Sequence, residues 1–294
     1  MISEKHRLKR WSNQLFFTGP TILAFTAVIL VPFLYGIYMT FFQWDGISSA
    51  TPYVGFGNYA EVIRDGKFWA SVWLTLKYVV ATVVLINAIA FFLSYLVTSG
   101  IRGQNFFRAS FFTPNLIGGL VLGFLWQFVF NNLFVTIGKR YGIDLFSKTW
   151  LGDETLAFWA LVIVTVWQYA GYMMVIFIAG LMSVPRDVIE AAKIDGTGAW
   201  KQLTHMVLPL MVPSFIVTIF LSLQRGFMVY DVNYALTGGG PFGSTVMASM
   251  HVYDKAFVRF DYGVGQAEAF VLFFLVAGVT LVQVYLGKKM EVEA

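Results

Sequence analysis

Thr165, Gln168, Tyr169 and Tyr172 recur at i, i+3, i+4 and i+7 inside the uncharged run from Thr155 to Pro185. On a helix that spacing puts all four on one face, flanked by Val, Ile, Phe and Met. Further along, Ser214, Thr218, Ser222 and Arg225 follow at roughly helical spacing, with Gln224, Phe227, Tyr230 and Asp231 close by. Amides and hydroxyls beside aromatic rings suit a sugar, whose C–H faces stack while its hydroxyls hydrogen-bond. Polar groups converging within apolar segments also mark a path through a membrane. Two structural readings compete with that chemistry. Tyr and Trp form interfacial belts, and Ser or Thr often bond one helix to another. With 30 Phe, 14 Tyr and 9 Trp in the chain, most rings must be belt or packing.

A second constellation occupies residues 183–209. Pro185 suits a first helical turn and Gly196 the residue just past a helix end. Between them Val188, Ile189, Ala191, Ala192 and Ile194 outline an apolar face, with Arg186, Asp187, Glu190 and Lys193 on the polar side. After Gly196, Trp200, Leu203 and Val207 recur at i, i+3 and i+7 as a second helix. The pair predicts a helix–turn–helix bracket at a membrane surface. Such a bracket could rest on lipid headgroups. Small residues at Ala191 and Ala192 instead admit another chain closely, so the bracket reads as a docking element. Other chemistry is missing: no G-x-x-x-x-G-K-[ST], H-E-x-x-H or G-x-S-x-G occurs, and His6, His205 and His251 are scattered. No catalytic residue, resident cofactor or metal is expected.

The elements that position these residues follow from composition. The 294 residues are 58% hydrophobic and only 12% charged, with a mean hydropathy of +0.70. A soluble domain carries about 25% charged residues. The balance excludes a cytosolic enzyme, a disordered chain and a nucleic-acid binder, the net charge of +4 forming no basic block. Zero cysteines exclude disulfides and thiolate metal sites. Gaps between charges predict six membrane-spanning helices, near 16–42, 70–98, 107–130, 156–182, 208–226 and 266–287, each long enough for about 30 Å of hydrocarbon. The uncharged run 232–253 is broken by Gly238-Gly239-Gly240-Pro241 and predicts a structured loop. One set of flanks holds Lys5, Arg7, Lys9, Arg10, Arg102, Arg108, Arg186, Lys193, Lys201, Lys288 and Lys289. The opposite, longer loops hold only Arg64, Lys67, Lys139, Arg140, Lys148, Arg225, Lys255 and Arg259. The positive-inside rule then places both termini in the cytoplasm. The first apolar run is too long for a signal peptide and is expected to stay attached. The domain plan is a cytoplasmic segment 1–15, a single membrane domain 16–288 carrying the loop 183–209, and a tail 289–294. Lys77 and Glu268, near span ends, are expected to snorkel to the interface. Gly119 and Gly123 form a G-x-x-x-G that predicts close helix packing.

The bracket also carries a resemblance. Glu190-Ala191-Ala192, Gly196, Leu208 and Pro209 reproduce the E-A-A-x3-G-x9-I-x-L-P loop of permease subunits in ABC importers of the type I fold, with Met206 where isoleucine is usual. Asp195-Gly196, Ala179-Gly180-Leu181 and Leu236-Thr237-Gly238-Gly239-Gly240-Pro241, followed by Thr245 and Ala256-Phe257, are similar to the carbohydrate branch, of the maltose and oligosaccharide type. The resemblance implies an all-α integral membrane permease whose short loop helix inserts into an ATP-hydrolysing subunit. It implies a second homologous permease, two ATPase subunits that bind the ATP and Mg, and an extracellular or periplasmic sugar-binding protein. The setting is a bacterial or archaeal cytoplasmic (inner) membrane. In maltose-type relatives, positions aligning with Gln168, Tyr169, Tyr172 and 227–231 contact the sugar.

The implied function is ATP-driven import of a neutral oligosaccharide. A glycerophosphate would call for several cationic residues in the cavity, and Arg225 is the one good candidate. An ion-coupled secondary transporter would want paired ionisable groups at mid-membrane and inverted repeats.

Overall fold

The computed structural model describes residues 16–48 and 51–291. The expected N-terminal segment 1–15 and the end of the tail lie outside them, as do the side chains of Arg186, Ala191 and Lys193. Among the described residues, five helices are long and apolar enough to cross a membrane: Phe16–Met39, Gly66–Thr98, Gly119–Tyr141, Glu154–Ser183 and Tyr262–Lys289. A sixth crossing is a broken one, Ala199–Leu210 followed by Val212–Phe227 at 69°. The predicted count of six is reached with the bent pair as one span. Two of the spans differ from expectation.

The third was expected over 107–130. Instead a helix Gln104–Phe112 runs into a 3-10 turn, Thr113–Leu116, and the chain is extended at Ile117 and Gly118. Pro114 lacks an amide donor, which favours a break there. The helix restarts at Gly119 and continues to Tyr141, past the expected end, until Gly142 turns left-handed at φ +67°. Lys139 and Arg140 fall in its last turn, where cations oppose the helix dipole favourably. The fifth span does not begin at 208: the second helix of the bracket runs straight to Leu210, and the chain bends at Met211, between Pro209 and Pro213.

The chain divides into two compact units. In the first, residues up to Gly66 with Val252–Val271, Asn58 is buried and donates from Nδ2 to the carbonyls of Thr40 (2.8 Å) and Phe42 (2.9 Å), tying down the end of the first span. Lys255 lies 2.9 Å from Glu61 and 3.7 Å from both Asp65 and Asp261. Burial pulls its ammonium down, but the Glu61 hydrogen bond and the charges of Glu61, Asp261 and Glu268 outweigh that and raise it above its ordinary value. Glu268 corrects an expectation. It is fully buried rather than snorkelling. One turn earlier Gly265 lies against the Ala256 backbone, so the segment Asp254–Val258 covers this end of the last span. Lys77, in the other unit, does sit exposed, its ammonium 5.6 Å from the Trp73 ring.

The second unit, Lys67–His251 with Leu272 onward, holds the apolar core of the second to fifth spans. The fourth span begins on Asp153, whose carboxylate accepts from the Thr155 and Leu156 amides, a cap worth about 1 kcal/mol. Gly171 of this span lies against the Phe111 carbonyl, where a Cβ would collide, so the helix Gln104–Phe112 packs at backbone distance. The last span joins through Gln283 Nε2, which donates to the Ile216 carbonyl at 3.3 Å. One buried polar pair bonds helix to helix, Asn87 of the second span donating to Ser222 Oγ of the fifth (3.3 Å), while Ser222 donates within its own helix to the Thr218 carbonyl (2.7 Å). Ser214 abuts Gly180. Ser214, Thr218 and Ser222 thus follow the packing reading. Links of this kind contribute about 0.6–2 kcal/mol each.

Candidate functional site

The break in the third span opens a cavity of about 380 Å³. Its walls are the 115–119 stretch, the middle of the fourth span, the end of the fifth and residues 228–232. The G-x-x-x-G builds one wall. A Cβ on Gly119 would come within 2.8 Å of Asp231 Cβ, and one on Gly123 within 2.5 Å of Ala235 Cβ. The short helix Asp231–Leu236 therefore packs directly on the third span, so the motif's partner is a loop helix.

Six of the eight expected path residues meet here: Thr165, Gln168, Tyr169, Gln224, Tyr230 and Asp231. Thr165 is held by the hydroxyl of buried Tyr78, which donates to it at 2.6 Å. Gln168 is 3% exposed. Its Nε2 donates to the Ile117 carbonyl at 3.1 Å, satisfying a group freed by the break. Its Oε1 is buried with no hydrogen-bond partner among the described residues. A buried amide oxygen left without a donor is costly, of order 1–3 kcal/mol, so this one is suited to accept a hydroxyl from a molecule in the cavity. Arg225 places its guanidinium 5.2 Å from the centre of the Tyr169 ring. Tyr230 stacks on Tyr234 at 5.8 Å. Arg225 and Asp231 are the only charged residues of the lining, one of each sign.

Tyr172 and Phe227 stand apart from the lining. Tyr172, one turn along from Gln168, packs near Phe112 at 6.3 Å. Phe227 is fully buried in the core. Conversely Asn115 and Gly118 line the cavity outside the expected set, with Pro114 followed by Gly118-Gly119 as the available signal. Met228 also lines it, within the stretch 227–231 that the resemblance implied.

The bracket has the predicted form. Its first helix, Arg186–Ile194, ends at Gly196, which adopts φ +71°, and Thr197 N–H closes the turn on the Ala192 carbonyl at 3.0 Å. Only glycine takes that conformation without steric cost, and no neighbour lies within 4 Å of the position. Glu190 and Asp195 are exposed. Ala192 is 2% exposed and so faces this chain, not a partner; Ile189, three residues earlier, also packs inward. The most exposed large apolar residues of the bracket, among those described, are Ile194 (86%) and Trp200 (76%). Leu208 and Pro209 sit half-buried at the bend. A single small residue does not announce which side it faces, which is why Ala192 misled.

The sequence from residue 86 to 292 matches the family of binding-protein-dependent transport system inner membrane components. The chain belongs to that family. The family's permeases are non-catalytic, and nucleotide hydrolysis resides in a separate subunit. Over 277 residues the chain is 43% identical to a probable starch degradation products transport system permease, AmyD of Thermoanaerobacterium thermosulfurigenes, covering 94% of each. It is 32% identical to a multiple sugar-binding transport system permease, MsmF of Streptococcus mutans, over 93% of this chain and 96% of the relative. Among solved structures, a bacterial ABC transporter involved in the import of the acidic polysaccharide alginate superposes with a TM-score of 0.83 at 17% identity, covering 97% of this chain and 99% of that one. At that identity the likeness speaks for the fold alone, that of a type I importer permease.

Proposed function

We propose that this permease carries a neutral oligosaccharide through the cavity at Gln168, in a complex driven by ATP. The reading rests chiefly on the lining: an unpartnered amide oxygen, tyrosine rings and hydroxyls, and one cation balanced by one carboxylate. A phosphorylated substrate would call for an excess of positive charge, and Arg225 is already offset by Asp231 and turned to Tyr169. The relatives named for starch products and for multiple sugars support the same substrate class.

The path runs between this chain and a second, homologous permease. Two ATPase subunits, which bind the nucleotide and magnesium, receive the bracket through Glu190, Asp195 and the exposed Ile194 and Trp200. A sugar-binding protein delivers substrate to the opposite face. Both termini lie in the cytoplasm and the complex in the inner membrane. Uptake of a panel of labelled oligosaccharides and glycerophosphates tests the substrate class: oligosaccharides are expected to accumulate, and accumulation of glycerophosphates alone overturns the assignment. Purification from the native membrane tests the assembly. An ATPase and a second permease should co-purify, with the ATPase lost on Glu190→Arg; the chain alone in several mild detergents removes the docking role.

A further inference from the structure

Phe242 is 94% exposed, more than any other large hydrophobic side chain among the described residues. Its backbone is left-handed, at φ +52°, a conformation that a bulky L residue rarely adopts. The loop that holds it this way is braced. Asn233, fully buried on the helix Asp231–Leu236, donates from Nδ2 to the Thr245 carbonyl at 2.6 Å and accepts the Thr237 hydroxyl at 2.8 Å. The Thr245 hydroxyl donates to the Gly240 carbonyl at 3.0 Å. Both limbs of the loop are therefore fixed to one short helix. That helix starts at Asp231, which with Tyr230 lines the cavity. A ring offered to solvent by a strained backbone is thus rigidly connected to the wall of the substrate path.

Two occupants could cover such a ring. Membrane interfaces are held by belts of Trp and Tyr with Lys and Arg beside them. Residues 237–245, Thr-Gly-Gly-Gly-Pro-Phe-Gly-Ser-Thr, contain no cation and no second aromatic. A lone ring among glycines is instead the shape of a knob that fills a pocket on a protein, where one buried aromatic can dominate affinity. From this geometry we infer that Phe242 is an anchor for the soluble sugar-binding protein, seating in an apolar pocket on its surface. Docking there loads the helix that begins at Asp231, directly after Tyr230, and so reports the arrival of substrate to the cavity wall. The inference rests on the importer reading given above.

The test uses the assembled complex in proteoliposomes and the purified binding protein that stimulates its ATP hydrolysis. Phe242→Ala is expected to raise the half-saturating concentration of that protein about tenfold, leaving basal hydrolysis and the rate at saturation unchanged; Phe242→Tyr should stay within about threefold of wild type. An unchanged half-saturating concentration for Phe242→Ala overturns the anchor. If that variant fails to assemble, p-benzoylphenylalanine placed at position 242 decides: a photo-adduct with the binding protein supports the anchor, and adducts confined to lipid or to another permease overturn it. Absence of any stimulation of the wild type would sink the importer reading together with this inference, whereas stimulation insensitive to Phe242→Ala removes the anchor alone.

Discussion

The cavity and the bracket break the ordinary rule of burial in opposite directions. At the cavity, polar groups lie deep among apolar spans, and Gln168 keeps a buried oxygen unsatisfied. At the bracket, Ile194 and Trp200 stand almost fully in the open on a polar surface element. Elsewhere in the second unit, Thr82 and Ser222 are bonded to their own helix, while Asn87, Trp126 and Gln283 also keep a buried polar atom without a partner among the described residues, though none of these three lines the cavity. The two regions need different completions. One wants hydrogen-bonding groups brought in, and the other wants apolar surface laid over it. In both regions the fold leaves an interaction unfinished.

Substitutions can break either half of that contrast. The largest effect is expected from Gly196→Pro. Proline cannot adopt φ +71°, so the turn between the bracket helices is lost. Transport should fall to background and substrate-stimulated ATP hydrolysis should vanish, while the protein still inserts; normal stimulation in proteoliposomes would remove the docking role. Ile194→Asp comes next. Placing a charge at the centre of an apolar contact should cost at least about 2 kcal/mol, roughly thirtyfold in affinity for the ATPase subunit. Measuring how much ATPase co-purifies from detergent checks this, and undiminished recovery would move the contact elsewhere.

On the cavity side, Gln168→Leu removes both the acceptor and the link to Ile117. A net hydrogen bond of about 0.5–1.5 kcal/mol corresponds to a KM raised roughly two- to tenfold, with ATP hydrolysis in the absence of substrate unaltered. A KM equal to wild type in uptake assays would take Gln168 off the path. The smallest effect belongs to Tyr172→Ala. Because its ring packs toward Phe112 and outside the lining, KM should change less than about twofold. A shift as large as that of Gln168→Leu would mean the path extends a turn further along the fourth span.

Spacing alone makes part of this arrangement legible. The i, i+3, i+4 pattern of Thr165, Gln168 and Tyr169 fixes a common face whatever surrounds it, and Gly196 after an amphipathic stretch fixes a helix end. Tyr172 shares the same face in sequence, yet whether it reaches the cavity depends on Phe112, sixty residues earlier in the chain. The break at Ile117–Gly118 and the bend at Met211 were hidden for another reason. Hydropathy measures the cost of transferring side chains to lipid, and the residues around both points are uncharged, so the runs look continuous while the backbone turns. The marks are the prolines at 114, 209 and 213 and the pair Gly118-Gly119. The burial of Glu268 was beyond reach because it depends on Ala256 closing over Gly265.

The 69° bend at Met211 makes the bracket's second helix a crank. Ala199–Leu210 is an arm about 18 Å long, set at a steep angle to the shaft Val212–Phe227. A swing of about ten degrees at the elbow sweeps its far end by about 3 Å over such an arm. The arm also fixes phase. One residue inserted within it would turn everything before the insertion by about 100° around its axis, swinging Trp200 and the preceding turn away from their present heading, although no contact at the cavity would be touched.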